Sequence, residues 1–165
     1  MNHREYNQIV EDYADRLYRY LLKNMRESAD AKDALQLTFC QLWEHRAEID
    51  TERVKSWLFT VAHHKMIDHF RRRKHTTPIL PLHLSSRAEE EQLELQDLLD
   101  QALQYLPAQQ RMLITLRDYE GYSYREIAEI ADLKLEQVKV YLFRARKKLR
   151  KVIEQGAEAH SKVKV

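Results

Sequence analysis

A chain of 165 residues with only two glycines and three prolines is short of turn-forming residues, which make up about 12% of average usage. That excludes an all-β sandwich or barrel and a Pro/Gly-rich disordered chain, while 33% charged and 44% hydrophobic residues suit a helical protein with a packed core. The 28 basic and 26 acidic residues nearly cancel, yet residues 1–75 carry net +2, 76–100 net −5 and 101–165 net +5.

Ile9, Tyr13, Leu17 and Leu21 recur at helical spacing and predict a helix over about 5–25. A second is expected over about 29–46, with Leu35, Phe39, Leu42 and Trp43 on one side. If those point inward, Asp33, Leu37, Cys40 and Glu44 point outward. A third is expected over about 53–74, carrying Val54, Trp57, Leu58, Val61, Ile67 and Phe70 on one stripe. Pro78 and Pro81 break any helix, so 75–86 reads as a linker. The acidic stretch from Glu89 to Asp100 opens a fourth helix, with Leu95, Leu98, Leu99, Ala102 and Leu106 expected inward.

Pro107 suits the first position of a fifth helix, which should end at Gly121 after about Tyr119. Ser123 and Glu126 have capping-box spacing and start a sixth helix over about 124–131. A break at 132–134 leads to a seventh helix over about 135–153, after which the chain should fray. The fold class is therefore all-α: two small helical domains joined by a linker. Their bounds are 1–75 and 101–153, with an acidic connection over 76–100 and a flexible tail over 154–165.

The last helix pair has the layout of a helix-turn-helix. Ala128 is the small residue at the crossing, Asp132 the turn residue that tolerates left-handed geometry, and Val138 the apolar anchor. Val138, Leu142, Ala145 and Leu149 form its inward stripe, so Glu136, Gln137, Lys139, Val140 and Arg144 become candidate base or near-base contacts. Arg146, Lys148, Arg150 and Lys151 suit phosphates. Val140 and Phe143 have two readings, contact with thymine methyls or packing against a partner. A second basic cluster, Arg71, Arg72, Arg73 and Lys74, ends the third helix.

Other chemistry finds little support. His63, His64, His69 and His75 lack the spacing that puts metal ligands on one helix face, and no metal or other cofactor is expected. Two glycines make no phosphate loop, and enzymatic function is not expected. One cysteine, no apolar run of membrane-spanning length and a polar start point to a cytoplasmic protein without direct membrane insertion.

Five segments together carry a family likeness. Leu106-Pro107-x-x-Gln110-Arg111, Asp118-Tyr-Glu-Gly121-Tyr-Ser-Tyr-x-Glu126-Ile-Ala and Val138-Lys139-x-x-Leu-x-Arg144-Ala-Arg146 closely resemble the fourth conserved region of bacterial RNA polymerase sigma factors of the extracytoplasmic-function (ECF) group. Asp30-Ala-x-Asp33-x-x-Gln36-x-Thr38-Phe39-x-x-Leu42-Trp43 and Trp57-Leu58-x-x-x-Ala62-x-x-x-x-Ile67-Asp68-x-x-Arg71-Arg72 are similar to parts of their second region. His64, Lys32, Leu37 and the pair Val140-Tyr141 depart from residues frequent in the group.

The resemblance implies core RNA polymerase and promoter DNA as partners, with an anti-sigma factor as regulator. It implies core contact through Asp33, Gln36, Leu37 and Gln41 on the second helix. It assigns the −10 element to the third helix, through Lys55, His63, His64, Lys65, Arg71, Arg72 and Arg73. The −35 element falls to the last helix, through Glu136, Gln137, Lys139, Val140, Arg144, Arg146, Lys147 and Lys148. Trp57 and Phe70 could serve the core or stack on bases. The acidic connection could follow a basic channel of the polymerase, through Glu89, Glu90 and Glu91. The alternative is a helix-turn-helix repressor or activator that acts without core polymerase.

Overall fold

The computed structural model describes residues 1–73 and 91–163, with side chains over 1–73 and 95–156. Seven α-helices run through these residues: α1 His3–Met25, α2 Ser28–Glu44, α3 Val54–Arg73, α4 Glu91–Leu103, α5 Ala108–Ile114, α6 Tyr124–Ala131 and α7 Leu135–Val163. The expected linker over 75–86 lies outside the described residues, as do Lys74 and, in the acidic connection, Glu89 and Glu90.

The first three helices form one cluster. Asn2 caps α1 in a capping box with Glu5, and Arg26 closes that helix in the left-handed region at φ 67°. Ile9, Leu17 and Leu21 of α1 are buried against α2 and α3, whose core residues include Phe39, Leu42, Leu58 and Met66. Each such side chain contributes about 1.5–3 kcal/mol of transfer free energy. A single 3₁₀ turn, Thr51–Arg53, leads into α3 and is capped by Asp50.

In the second cluster Ser123 and Glu126 form the expected capping box of α6. Gly121 adopts φ +76°, a conformation that costs glycine least. Asp132 closes α6 at φ 53° and ψ 53°, so the turn of the helix pair is left-handed without glycine. Val138, Leu142 and Ala145 are fully buried, as the stripe requires.

Several expectations change. The fifth helix is not uniform: after Ile114 it widens into a π-helical turn over Thr115–Tyr119. Pro107 sits one position early, as the N-cap. Leu95 and Leu98 are not inward but 62% and 47% exposed; α4 turns its C-terminal end inward, burying Ala102 and Leu103, with Leu106 buried just beyond it. The seventh helix does not fray near 153 but continues to Val163. Residues 152–163 hold no proline, and the good helix formers Glu154, Gln155, Ala157, Glu158, Ala159 and Lys162 carry the helix on despite Gly156.

The two clusters also pack on each other, with α3 against α6 and α1 against α5. Tyr20, Phe59 and Tyr122 form an aromatic run across the junction, with ring centroids 5.3 Å apart at each step. The seam is polar as well as apolar, and its partners are far apart in sequence.

Candidate nucleic-acid interface

On α7 the buried stripe fixes what faces out. Glu136, Gln137, Lys139, Arg144, Lys147 and Lys148 are exposed, Val140 is 45% exposed and Phe143 69%. Phe143 lines a groove with Tyr124, Lys139, Arg146, Lys147 and Arg150, so an apolar ring sits among four cations. Such a surface attracts a polyanion and offers the ring to whatever the anion carries. Lys134 N donates to Gln137 Oε1 at 3.0 Å, so Gln137 is partly occupied as half of a cap.

Arg146 is half-buried and held from two sides. It donates to Asp118 Oδ1 at 3.0 Å and to Tyr124 Oη at 3.1 Å. These bonds, the one to Tyr124 foremost, raise its pKa and keep the guanidinium charged and oriented. It ties α7 to the π turn and to α6, which sets the angle at which the helix pair is presented.

On α3 the expected residues separate. His64 and Arg71, Arg72 and Arg73 are exposed and Lys65 is half-buried. Arg73 Nη2 lies 3.0 Å from Asp30 Oδ2 on α2, and the His69 imidazole lies 3.6 Å from the same oxygen. Lys55 is half-buried, its Nζ 4.7 Å above the Tyr122 ring. Trp57 and Phe70 are half-buried against the core, an intermediate position between the two readings.

His63 departs from the expected surface set. It is 1% exposed, and its Nδ1 shares a hydrogen bond with Tyr20 Oη at 3.2 Å. Burial, with His64 adding to it, pushes its pKa down to about 4, so the ring is neutral near pH 7 and meets no phosphate. Helical periodicity explains the change: Phe59, Ala62, His63 and Met66 share the covered side of α3.

On α2, Asp33, Gln36 and Leu37 are exposed and Gln41 is half-buried, with Leu37 at 53%. Cys40 and Glu44 complete this outward face, as expected. The buried polar residues at the junction of the clusters, Asn24, Arg111 and Thr115, escaped the sequence reading. The available signal was a charged residue and a threonine inside the apolar run Arg111-Met-Leu-Ile-Thr-Leu.

Comparison with known proteins follows the same division. The family described as Sigma-70 region 2 matches residues 9–76, and Sigma-70, region 4 matches residues 96–149. The chain is 30% identical over 156 residues to ECF RNA polymerase sigma factor SigM of Bacillus subtilis (strain 168), covering 91% of this chain and 96% of that protein. It is 30% identical over 155 residues to ECF RNA polymerase sigma factor SigL of Mycobacterium tuberculosis (strain ATCC 25618 / H37Rv), covering 89% and 88%. Among solved structures it resembles CnrH in complex with the cytosolic domain of CnrY, with TM-score 0.71, 26% identity and coverage of 93% and 90%. A likeness of fold also links it to the sigma factor RpoE in complex with the anti-sigma factor NepR from Bartonella quintana, at TM-score 0.74, 23% identity and coverage of 92% and 98%.

Proposed function

The chain belongs to the ECF sigma factors of RNA polymerase, and from that premise we propose how its surfaces divide the work. A sigma factor binds core RNA polymerase and directs promoter recognition and transcription initiation. The α7 face reads the −35 element as duplex: Glu136, Gln137, Lys139, Val140 and Arg144 lie against base edges, and Lys147 and Lys148 meet phosphates. Arg146 serves the −35 contact by holding the helix angle. Lys55, His64, Lys65, Arg71, Arg72 and Arg73 on α3 handle the −10 element as it opens. Asp33, Gln36, Leu37 and Gln41 on α2 dock on core. The residue bounds follow: 1–75 for the core and −10 module, 101–153 for the −35 module, and 76–100 for the connection between them.

The observation that carries this division is the pairing, on one chain, of a helix-turn-helix with an exposed basic face and a second module whose α2 presents an unpartnered Leu37 among polar residues. A regulator that needs no polymerase has no use for the latter. The regulatory partner we assign is an anti-sigma factor, since the proteins of similar fold include one solved with such a partner and the chain exposes Leu95, Leu98 and Tyr105. We place the protein in the cytoplasm. That placement is supported by its single free cysteine, and no described helix is long and apolar enough to cross a membrane. We assign it no catalytic step.

The test adds the purified chain to core polymerase and a supercoiled promoter library. Specific starts that require the chain are expected. Tight duplex binding without core, and no dependent starts, would return the reading to a repressor or activator.

A further inference from the structure

We propose that Asp30 is a positioning residue for the −10 element: from α2 it clasps Arg73, the last arginine of α3, and so fixes the guanidinium that meets the opened strand. The proposal rests on the assignment of that strand to α3, and it concerns a residue on the helix given to core polymerase.

Arg71, Arg72 and Arg73 end α3, and successive side chains on a helix point about 100° apart. One strand passing the helix end meets all three only if some are bent toward it. Two of them are held. Arg72 Nε donates to the Asp68 carbonyl at 3.3 Å, one turn back on its own helix. Arg73 is drawn across to α2, where its Nη2 stands 3.0 Å from Asp30 Oδ2. The Arg73 side chain is still 47% exposed, against 25% for Asp30, so the clasp holds the cation without hiding it.

The oxygen that does the holding is shielded from water. Asp30 Oδ2 makes no hydrogen bond among the described residues, and neither does His69 Nε2, 3.6 Å away. A carboxylate oxygen without water needs a cation beside it. His69 does not supply one: burial pushes its pKa down, Asp30 opposes that shift, and Arg73 and Arg72 add to it. The ring is therefore neutral near pH 7, and the charge that compensates Asp30 comes from Arg73.

Holding matters because a long side chain loses rotamer freedom when it takes a ligand. An arginine already fixed by α2 loses that freedom on folding, and less remains to be lost when the strand arrives. Asp30 has a second, simpler use as the acidic residue in the first turn of α2, where it favours the helix start. That use affects stability and does not involve Arg73. Electrostatics separates the readings by sign. A carboxylate beside a polyanion repels it, so an Asp30 that acted only through its own charge would weaken strand binding, and its removal would tighten it. Positioning requires the reverse.

The test assembles the full-length chain with core polymerase. It titrates the complex, at several salt concentrations, with a fluorescent single-stranded oligonucleotide carrying the −10 element of a promoter recovered from the supercoiled library. Asp30→Asn is expected to weaken binding about three- to tenfold. Its salt dependence should be shallower by about 0.7, the loss of one phosphate contact on a single strand. Arg73→Gln should do the same, and D30N/R73Q should bind no more weakly than Arg73→Gln alone, because Asp30 acts through Arg73. Binding of the −35 duplex of the same promoter should match the parent. Unchanged or tighter strand binding by Asp30→Asn, additive losses in the double variant, or an equal loss on the −35 duplex would each overturn the role of Asp30 and leave the sigma reading standing. A parent chain that does not join core polymerase would remove the sigma reading and the role of Asp30 with it.

Discussion

Arg111 and Asn24 meet across 87 residues of sequence, with the guanidinium Nη2 2.8 Å from the backbone carbonyl. Arg111 is 7% exposed, and burial, with Arg26 nearby, pushes its pKa down to about 10. Two effects oppose each other here. Desolvation disfavours the cation, while a charge-assisted hydrogen bond contributes about 1.5–3 kcal/mol. Arg111→Ala should cost about 2–3 kcal/mol in urea unfolding, because it removes the bond and leaves a hole. Arg111→Met, which keeps most of the volume and removes the buried charge, should cost less than half of that. Equal losses for the two variants would show that the charge, and not the packing, dominates.

His63 makes stability depend on pH. Its pKa falls from 6.5 unfolded to about 4 folded, so between those values the unfolded chain binds more protons. Stability then rises with pH across that window and falls as the solution is acidified. At pH 5 the loss relative to pH 7 should be about 2 kcal/mol from this group. Unfolding of the parent and of His63→Gln at the two values checks it: the variant should lose that part of the slope. An identical slope in both chains would remove His63 as the cause.

Left-handed backbone positions give a signed pair of substitutions. Asp132 sits at φ 53°, where glycine is less strained, so Asp132→Gly should leave stability unchanged or raise it by up to about 1 kcal/mol. Gly121→Ala should cost about 1 kcal/mol or more, although a Cβ there would meet nothing within 4 Å. Thermal unfolding of both variants decides the matter. A neutral Gly121→Ala would mean that the turn relaxes to negative φ.

The α7 face should divide base readers from phosphate binders. Arg144→Ala is expected to cost about 1–3 kcal/mol on the preferred −35 sequence and to relax specificity. Lys148→Ala should weaken binding evenly across sequences and reduce the salt slope by about 1. Fluorescence titrations at several salt concentrations, on matched and scrambled duplexes, measure both. A reversed pattern would rotate α7 in the groove.

Leu37 is 53% exposed on the α2 face, so Leu37→Glu should leave the melting temperature within about 1–2 °C while lowering core polymerase affinity at least tenfold. Pull-down with core polymerase, beside a melting curve, separates the two. Unchanged core binding would take Leu37 out of the docking surface.

The spacing of apolar residues placed the seven helices to within a few residues, and the cap of α6 with them, but not the π turn over Thr115–Tyr119, the length of α7 or the caps at Asn2 and Arg26. Ser123 with Glu126, Asp132 and Val138 act within one or two turns of backbone, where local sterics and hydrogen bonds decide the outcome. The exposed face of α7 was legible for the same reason, since a buried stripe fixes the opposite side. Tertiary packing alone decided His63, Leu95 and Arg111. Helical periodicity says which residues share a side of a helix, but not which side the rest of the molecule will cover. Tyr20 of α1 meets His63 on the covered side of α3; α4 leaves Leu95 in solvent; the end of α1 supplies the carbonyl that makes a buried arginine tolerable. Each of these outcomes depends on a partner tens of residues away, and no local pattern encodes where that partner lies.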